Sequence, residues 1–184
     1  MPISLTPSQA LLIGYIVAPA LFALSVYFTR ASLRRAASGL VGVIAYCVVQ
    51  YTWDRVAAVT GWWSYPGYGT TGSLPMPVAI YIFSGLTFAC FGLVGWRIIR
   101  RWGWKGLLTF LAAWSLWGFT LDHVGTSLFS SSRLMVISPG VAPAIADFFV
   151  YTTGMAAVLL TIKIIGGPYR ADSLARTQKS SVIP

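Results

Sequence analysis

The sequence predicts an all-α fold: an integral membrane bundle of five transmembrane helices. Three observations lead there. Hydrophobic residues fill 57% of the 184 positions and charged residues only 9%, where a soluble domain carries about 25% charged residues. Mean hydropathy is +0.73. Five segments reach the roughly 20 mostly apolar residues that cross a hydrocarbon core, and in lipid only a helix satisfies its own backbone economically. The composition excludes a disordered chain, a collagen-like chain and a small disulfide scaffold. At this length one domain is expected, spanning 1–167, with the polar tail 168–184 expected to be disordered and cytoplasmic.

The first segment runs from Gln9 to Phe28, and a membrane bundle tolerates its Gly14 and Pro19. The second runs from Ala37 to Val59, the third from Pro77 to Ile99, the fourth from Gly106 to Gly125 and the fifth from Pro143 to Ile165. No Lys or Arg precedes the first apolar run, whereas Arg30, Arg34 and Arg35 follow it. That polarity suits a signal anchor better than a cleaved signal peptide.

The basic residues then sort by side. Arg30, Arg34 and Arg35 fall in the first connection, Arg97, Arg100, Arg101 and Lys105 in the third, and Lys163, Arg170, Arg176 and Lys179 at the carboxyl end. Only Arg55 and Arg133 fall on the other side. The positive-inside rule puts the amino terminus outside and the carboxyl terminus in the cytoplasm, as expected for a multi-pass protein of a bacterial plasma membrane. The net charge of +9 is accordingly read as topology and not as nucleic-acid binding.

Two outward connections are rich in Gly, Pro and Ser, Thr60–Met76 and Thr126–Ala142. Trp62, Trp63, Tyr65 and Tyr68 suit an interfacial aromatic belt there; the alternative is that they line a pocket. The blocks Tyr51-Thr52-Trp53-Asp54-Arg55-Val56 and Phe119-Thr120-Leu121-Asp122-His123-Val124 share Thr, Asp and Val behind a leading aromatic residue. Each precedes a loop and a proline, Pro77 or Pro143, that opens the next helix. The second and third segments read as a parallel duplicate of the fourth and fifth, or as a coincidence of biased composition. Membrane folds that carry repeats often place their site between them.

The chain has four acids and no glutamate. Asp172 belongs to the tail, while Asp54, Asp122 and Asp147 fall at the outer ends of three segments, beside the single histidine, His123. Ionisable residues are costly in the membrane and mark functional sites by default. Helix pairing is the plainer reading: Asp147 suits a first helical turn, and Asp54 suits Arg55 or Arg133 as a partner. Asp147 and Tyr151 share a helix face, as do Tyr51 and Asp54. An outer chamber holding Asp54, Asp122, His123, Asp147, Tyr51, Tyr81 and Tyr151 would be apolar, aromatic and acidic together. One carboxyl there is expected to keep its proton and act as a general acid, and aromatic faces would stabilise a carbocation. The spacing shows no metal, haem or nucleotide motif and no Ser elbow, so neither a metal nor another cofactor is expected. Cys47 and Cys90 read as core residues.

The stretch Trp53–Tyr65, followed by Gly72, Pro75-Met76-Pro77 and Phe83, resembles the repeat unit of the small membrane-bound lycopene cyclases, the heterodimeric or fused carotenoid cyclases. It is more loosely similar to the integral membrane terpene cyclases. The resemblance covers about 35 residues well and about 85 weakly. In that family an acidic pair follows the proline; here Ala79 and Ile80 stand in the first repeat, Ile145 and Ala146 in the second, and Asp147 one position later. The resemblance implies acid-initiated, non-redox cyclisation of an isoprenoid, an isomerase or lyase chemistry, with a catalytically blank first repeat. Asp147 would donate the proton, Asp122 and His123 would orient or accept one, and Asp54 would tune the site. Tyr51, Trp62, Trp63, Tyr65, Tyr81, Phe119 and Tyr151 would line the path of an apolar isoprenoid-type ligand. The expected partners are the lipid bilayer and either a second copy or another membrane protein, with no nucleic acid. Two other classes stay open: a non-enzymatic membrane subunit or lipid-binding partner, and a small proton-coupled transporter.

Overall fold

A computed structural model describes residues 7–66, 76–125 and 135–167. The expectations for Tyr68, Gly72, Pro75, Arg133 and the tail from Pro168 lie outside the described residues. Among the described residues the regular structure is helical apart from two strands of two residues each. The helices are α1 (Pro7–Thr29), α2 (Leu33–Thr60), α3 (Val78–Thr120) and α4 (Val141–Ile165), and a π-helical turn (Leu121–Gly125) continues α3. Four helices are long and apolar enough to cross a membrane, which fits a multi-pass membrane protein.

The expected third and fourth segments are not separated by a loop. Helix runs through Arg97–Lys105, interrupted only at Gly103, whose φ of 59° and ψ of −139° suit glycine and almost nothing else. The chain doubles back there. The Phe91 and Trp114 rings sit 4.6 Å apart, where a straight helix would hold those positions about 35 Å apart. One glycine therefore replaces the anticipated connection, and α3 is a hairpin of two limbs, 78–102 and 104–120.

The core is aromatic and aliphatic. Tyr46 of α2, Phe88, Leu93, Trp96 and Trp114 of α3, and Met155, Val158, Leu159 and Ile162 of α4 form one buried cluster. Phe88 is its hub, 4.2 Å from the Tyr46 ring and 5.0 Å from Trp114, centroid to centroid. Polar side chains tie helices together where no water competes. The Trp53 indole donates to Thr153 across 3.0 Å, joining α2 to α4, and Ser115 and Thr152 bond at 2.7 Å, joining α3 to α4. Other threonine hydroxyls return to their own helix: Thr52, Thr87 and Thr161 each donate to the carbonyl four residues earlier, which satisfies a hydroxyl without a solvent partner.

The two ends of the bundle differ chemically. At one end Arg35, 1% exposed, donates to the carbonyls of Ile162 (3.2 Å) and Gly167 (2.9 Å), and its guanidinium lies 4.2 Å from the centre of the Trp96 ring. Arg34 Nε donates to the Ile165 carbonyl at 2.9 Å. These contacts put the start of α2 beside the end of α4, where cations complement the helix dipole. At the opposite end β1 (Trp63–Ser64) pairs antiparallel with β2 (Val136–Ile137), Trp63 facing Ile137. The two connections read from sequence as lying on one side are therefore clasped to each other.

Candidate functional site

Beneath that clasp lies a cavity of about 210 Å³. Its floor and walls come from α2 (Tyr46, Gln50), the first limb of α3 (Ile80, Ser84) and α4 (Asp147, Val150, Tyr151). Asp122 closes it from the π-helical turn, and Trp63, Tyr65, Met76 and Met135 form its roof. The ends of α2, α3 and α4 converge here, and α1 contributes no residue to the lining.

The carboxyls form two groups. Asp54 is 1% exposed and carries four hydrogen bonds, all from neutral donors. Its Oδ1 accepts from Gln50 Nε2 at 3.1 Å, Trp63 Nε1 at 2.9 Å and the Tyr65 hydroxyl at 3.0 Å, and its Oδ2 accepts from the Tyr81 hydroxyl at 2.8 Å. The Tyr46 hydroxyl extends the chain, donating to Gln50 Oε1 at 3.1 Å. Tyr65 lies outside the helices; burial and the Asp54 carboxylate beside it push its hydroxyl well above the ordinary tyrosine range. It therefore remains a donor at physiological pH.

The second group is Asp122, Asp147 and His123. Asp122 and Asp147 both face the cavity, one from the π-helical turn and one from α4. Asp122 Oδ2 also accepts from the Tyr151 hydroxyl at 2.8 Å. His123 Nε2 stands 3.4 Å from Asp147 Oδ2. The imidazole is about one-third exposed while Asp147 is buried, so the histidine lies between the carboxyl pair and the surroundings. The Phe119 ring packs against the imidazole at 4.2 Å.

Gly118, one turn before Asp122, makes this arrangement possible. The Tyr151 ring lies where a Gly118 side chain would begin, and any larger residue would push the hydroxyl off Asp122.

Several expectations change in detail. Asp147 sits in the second turn of α4, not the first, because the helix already begins at Val141. Asp54 accepts from Gln50, Trp63, Tyr65 and Tyr81, and Arg133, one of the partners expected for it, lies outside the described residues. Tyr51 does not share the buried face of Asp54: it is 38% exposed and lines no part of the cavity, since a three-residue step turns it outward. Trp63, Tyr65 and Tyr151 line the cavity, whereas Trp62, Tyr81, Phe119 and His123 are not part of its lining. Trp62 packs in a small cluster of Ala57, Trp63, Ala146 and Val150. Asp54 stands one layer behind the cavity surface, and Asp122 and Asp147 are on it.

Tyr46, Gln50, Met76, Ile80, Ser84, Met135 and Val150 are the lining residues that sequence reasoning missed. A signal existed for two of them, since Tyr46, Gln50 and Asp54 recur at four-residue steps on one face of α2. Among the described residues no group of three or more His, Cys, Asp or Glu side chains is placed to hold a metal ion. Comparison with protein-family models, curated proteins and solved structures finds no match to this chain.

Proposed function

We propose that the protein is a membrane-embedded acid catalyst that cyclises or isomerises the end of an isoprenoid-type lipid. The observation that carries this reading is the Asp122–Asp147 carboxyl pair at the wall of an aromatic cavity, with His123 3.4 Å from Asp147; two carboxyls facing one apolar cavity favour a state with a single proton between them. Asp122 already accepts from Tyr151, which suits the ionised member, so the proton belongs to Asp147. A cavity of about 210 Å³ is smaller than the 300–1,000 Å³ of a typical small-molecule pocket. It takes a ring-sized chain end, and the rest of a long lipid would remain outside.

The reaction balances without an oxidant. The Asp147 proton bonds to a terminal alkene carbon through the alkene electron pair and leaves a tertiary cation. A second alkene supplies the pair that closes the carbon–carbon ring bond. A proton leaves the carbon next to the new cation and returns to the carboxylate pair, so the product is an isomer of the substrate. The faces of Tyr46, Trp63 and Tyr151 line the space in which the cation would form, and their ring quadrupoles favour it. His123 would connect Asp147 with protons from the surroundings.

The same reading includes five spans, counting the limbs of α3 separately, with the amino terminus outside and the basic end in a bacterial cytoplasm. A duplication of two-helix units supports it. Tyr81 and Asp147 each lie four positions after a helix-opening proline, Pro77 or Pro143. Each meets the aspartate that closes the preceding unit: Tyr81 bonds to Asp54, and Asp147 shares the cavity wall with Asp122. Gln50 and Gly118 correspond in the same way, each four positions before its aspartate. The first unit would then be a neutral-donor counterpart of the acidic second.

The test is turnover of linear polyprenyl or polyene lipids by membranes in deuterated water. Wild type should yield a ring-containing isomer with one deuterium, and Asp147→Asn and Asp122→Asn should each lose about 10²–10⁴-fold in rate. No isomer from wild type, or unchanged turnover in both variants, would overturn the reading.

A further inference from the structure

We infer that Asp54 is a positioning residue that holds the roof of the cavity closed and does not exchange protons with a ligand. The inference rests on the reading that the cavity admits a ligand; it concerns access, whatever the chemistry inside. A carboxylate offers about four lone-pair positions, and Asp54 has four donors on it. Three of them share Oδ1 and one is on Oδ2, and the side chain is 1% exposed and does not line the cavity, so it does not face a substrate. Two of the donors, Trp63 Nε1 and the Tyr65 hydroxyl, are roof residues. The other two, Gln50 and Tyr81, belong to α2 and α3 and anchor the carboxylate to the bundle.

The roof is built as a unit. Ser138 donates its backbone N–H to the Trp62 carbonyl at 2.8 Å and its hydroxyl to the Gly61 carbonyl at 2.6 Å. Together with the β1–β2 pairing, these bonds fasten the segment after α2 to the segment before α4. They meet the helices at the cap of α2, Gly61, beside which the Trp62 N–H donates to the Ala57 carbonyl at 3.1 Å. The polar attachment of Trp63 and Tyr65 to the bundle below passes through Asp54. Releasing that carboxylate would let both segments lift together, because the clasp remains intact. Asp54 would in this way set how often the Asp122–Asp147 pair is exposed to a ligand.

A cysteine placed in the cavity reports this without any assay of turnover. In a Cys47→Ala/Cys90→Ala background, Ile80→Cys supplies a single thiol on the cavity wall. Alkylation by a small water-soluble maleimide in membranes should accelerate about tenfold in Asp54→Ala and a few-fold in Trp63→Phe or Tyr65→Phe, in proportion to the hydrogen bonds removed. Asp54→Asn keeps an acceptor for the roof and should stay within about twofold of the parent. The aromatic single-bond variants keep the test decisive if Asp54→Ala does not fold. Equal rates in Asp54→Ala, Trp63→Phe and Tyr65→Phe would overturn the inference. So would an Asp54→Asn protein that alkylates like the parent yet loses turnover as completely as Asp147→Asn, because Asp54 would then be a proton donor. If no isomer forms in any protein, the alkylation rates still decide the matter of the roof.

Discussion

Tyr151 of α4 lies across Gly118 of α3, and this contact aims its hydroxyl at Asp122, 2.8 Å away. A backbone without a side chain on one helix thus places a donor on a carboxyl one turn further along. Gly118→Ala should displace the ring and cost about 1–3 kcal/mol of stability through overpacking. Tyr151→Phe keeps the packing and removes one hydrogen bond to a carboxyl, worth about 1.5–3 kcal/mol when that carboxyl is charged. Thermal unfolding in detergent gives both values. A Gly118→Ala protein as stable as wild type would show that the close approach carries no weight.

Arg35 closes the opposite end of the bundle. It is buried against the Trp96 face and caps the carbonyls of Ile162 and Gly167. Arg35→Ala leaves two carbonyls without this donor and opens a cavity, and should cost about 3–5 kcal/mol. Arg35→Lys keeps the charge but loses the planar fork and the stacking, so it should recover only part of this. Unfolding midpoints of the two variants check the order; equal midpoints would contradict it.

Tyr65 makes the roof sensitive to strong alkali only. Its hydroxyl titrates above the ordinary tyrosine value in the folded chain. Its contribution is therefore full below the unfolded value of about 10 and is lost as pH rises through the folded value. The stability difference between wild type and Tyr65→Phe should be constant from about pH 6 to 9 and shrink only above about pH 10. Unfolding midpoints over that range supply the measurement, and a difference that fades below pH 9 would refute it.

Composition and the spacing of apolar runs were enough to place the helices. Each expected segment coincides with helix to within a few residues, as with Ala37–Val59 inside Leu33–Thr60. The convergence of Asp122, His123, Asp147 and Tyr151 was also legible, because costly acids at matching helix ends have few other places to go. Tyr51 misled because adjacency along a helix does not say which side faces inward. Gln50 was passed over as one polar residue in an apolar span, although its four-residue step to Asp54 was visible.

The sequence by itself determined which segments are helical and which end of the bundle is basic, since burial of apolar surface and the cost of charge in lipid are local properties. Only the tertiary structure decided that α3 turns back at a single glycine, that the two connections clasp, and that Asp54 is enclosed by donors while Asp122 and Asp147 face one cavity. These are relations between groups far apart in the chain. They depend on packing between helices, for which the order of residues along one helix carries no direct signal.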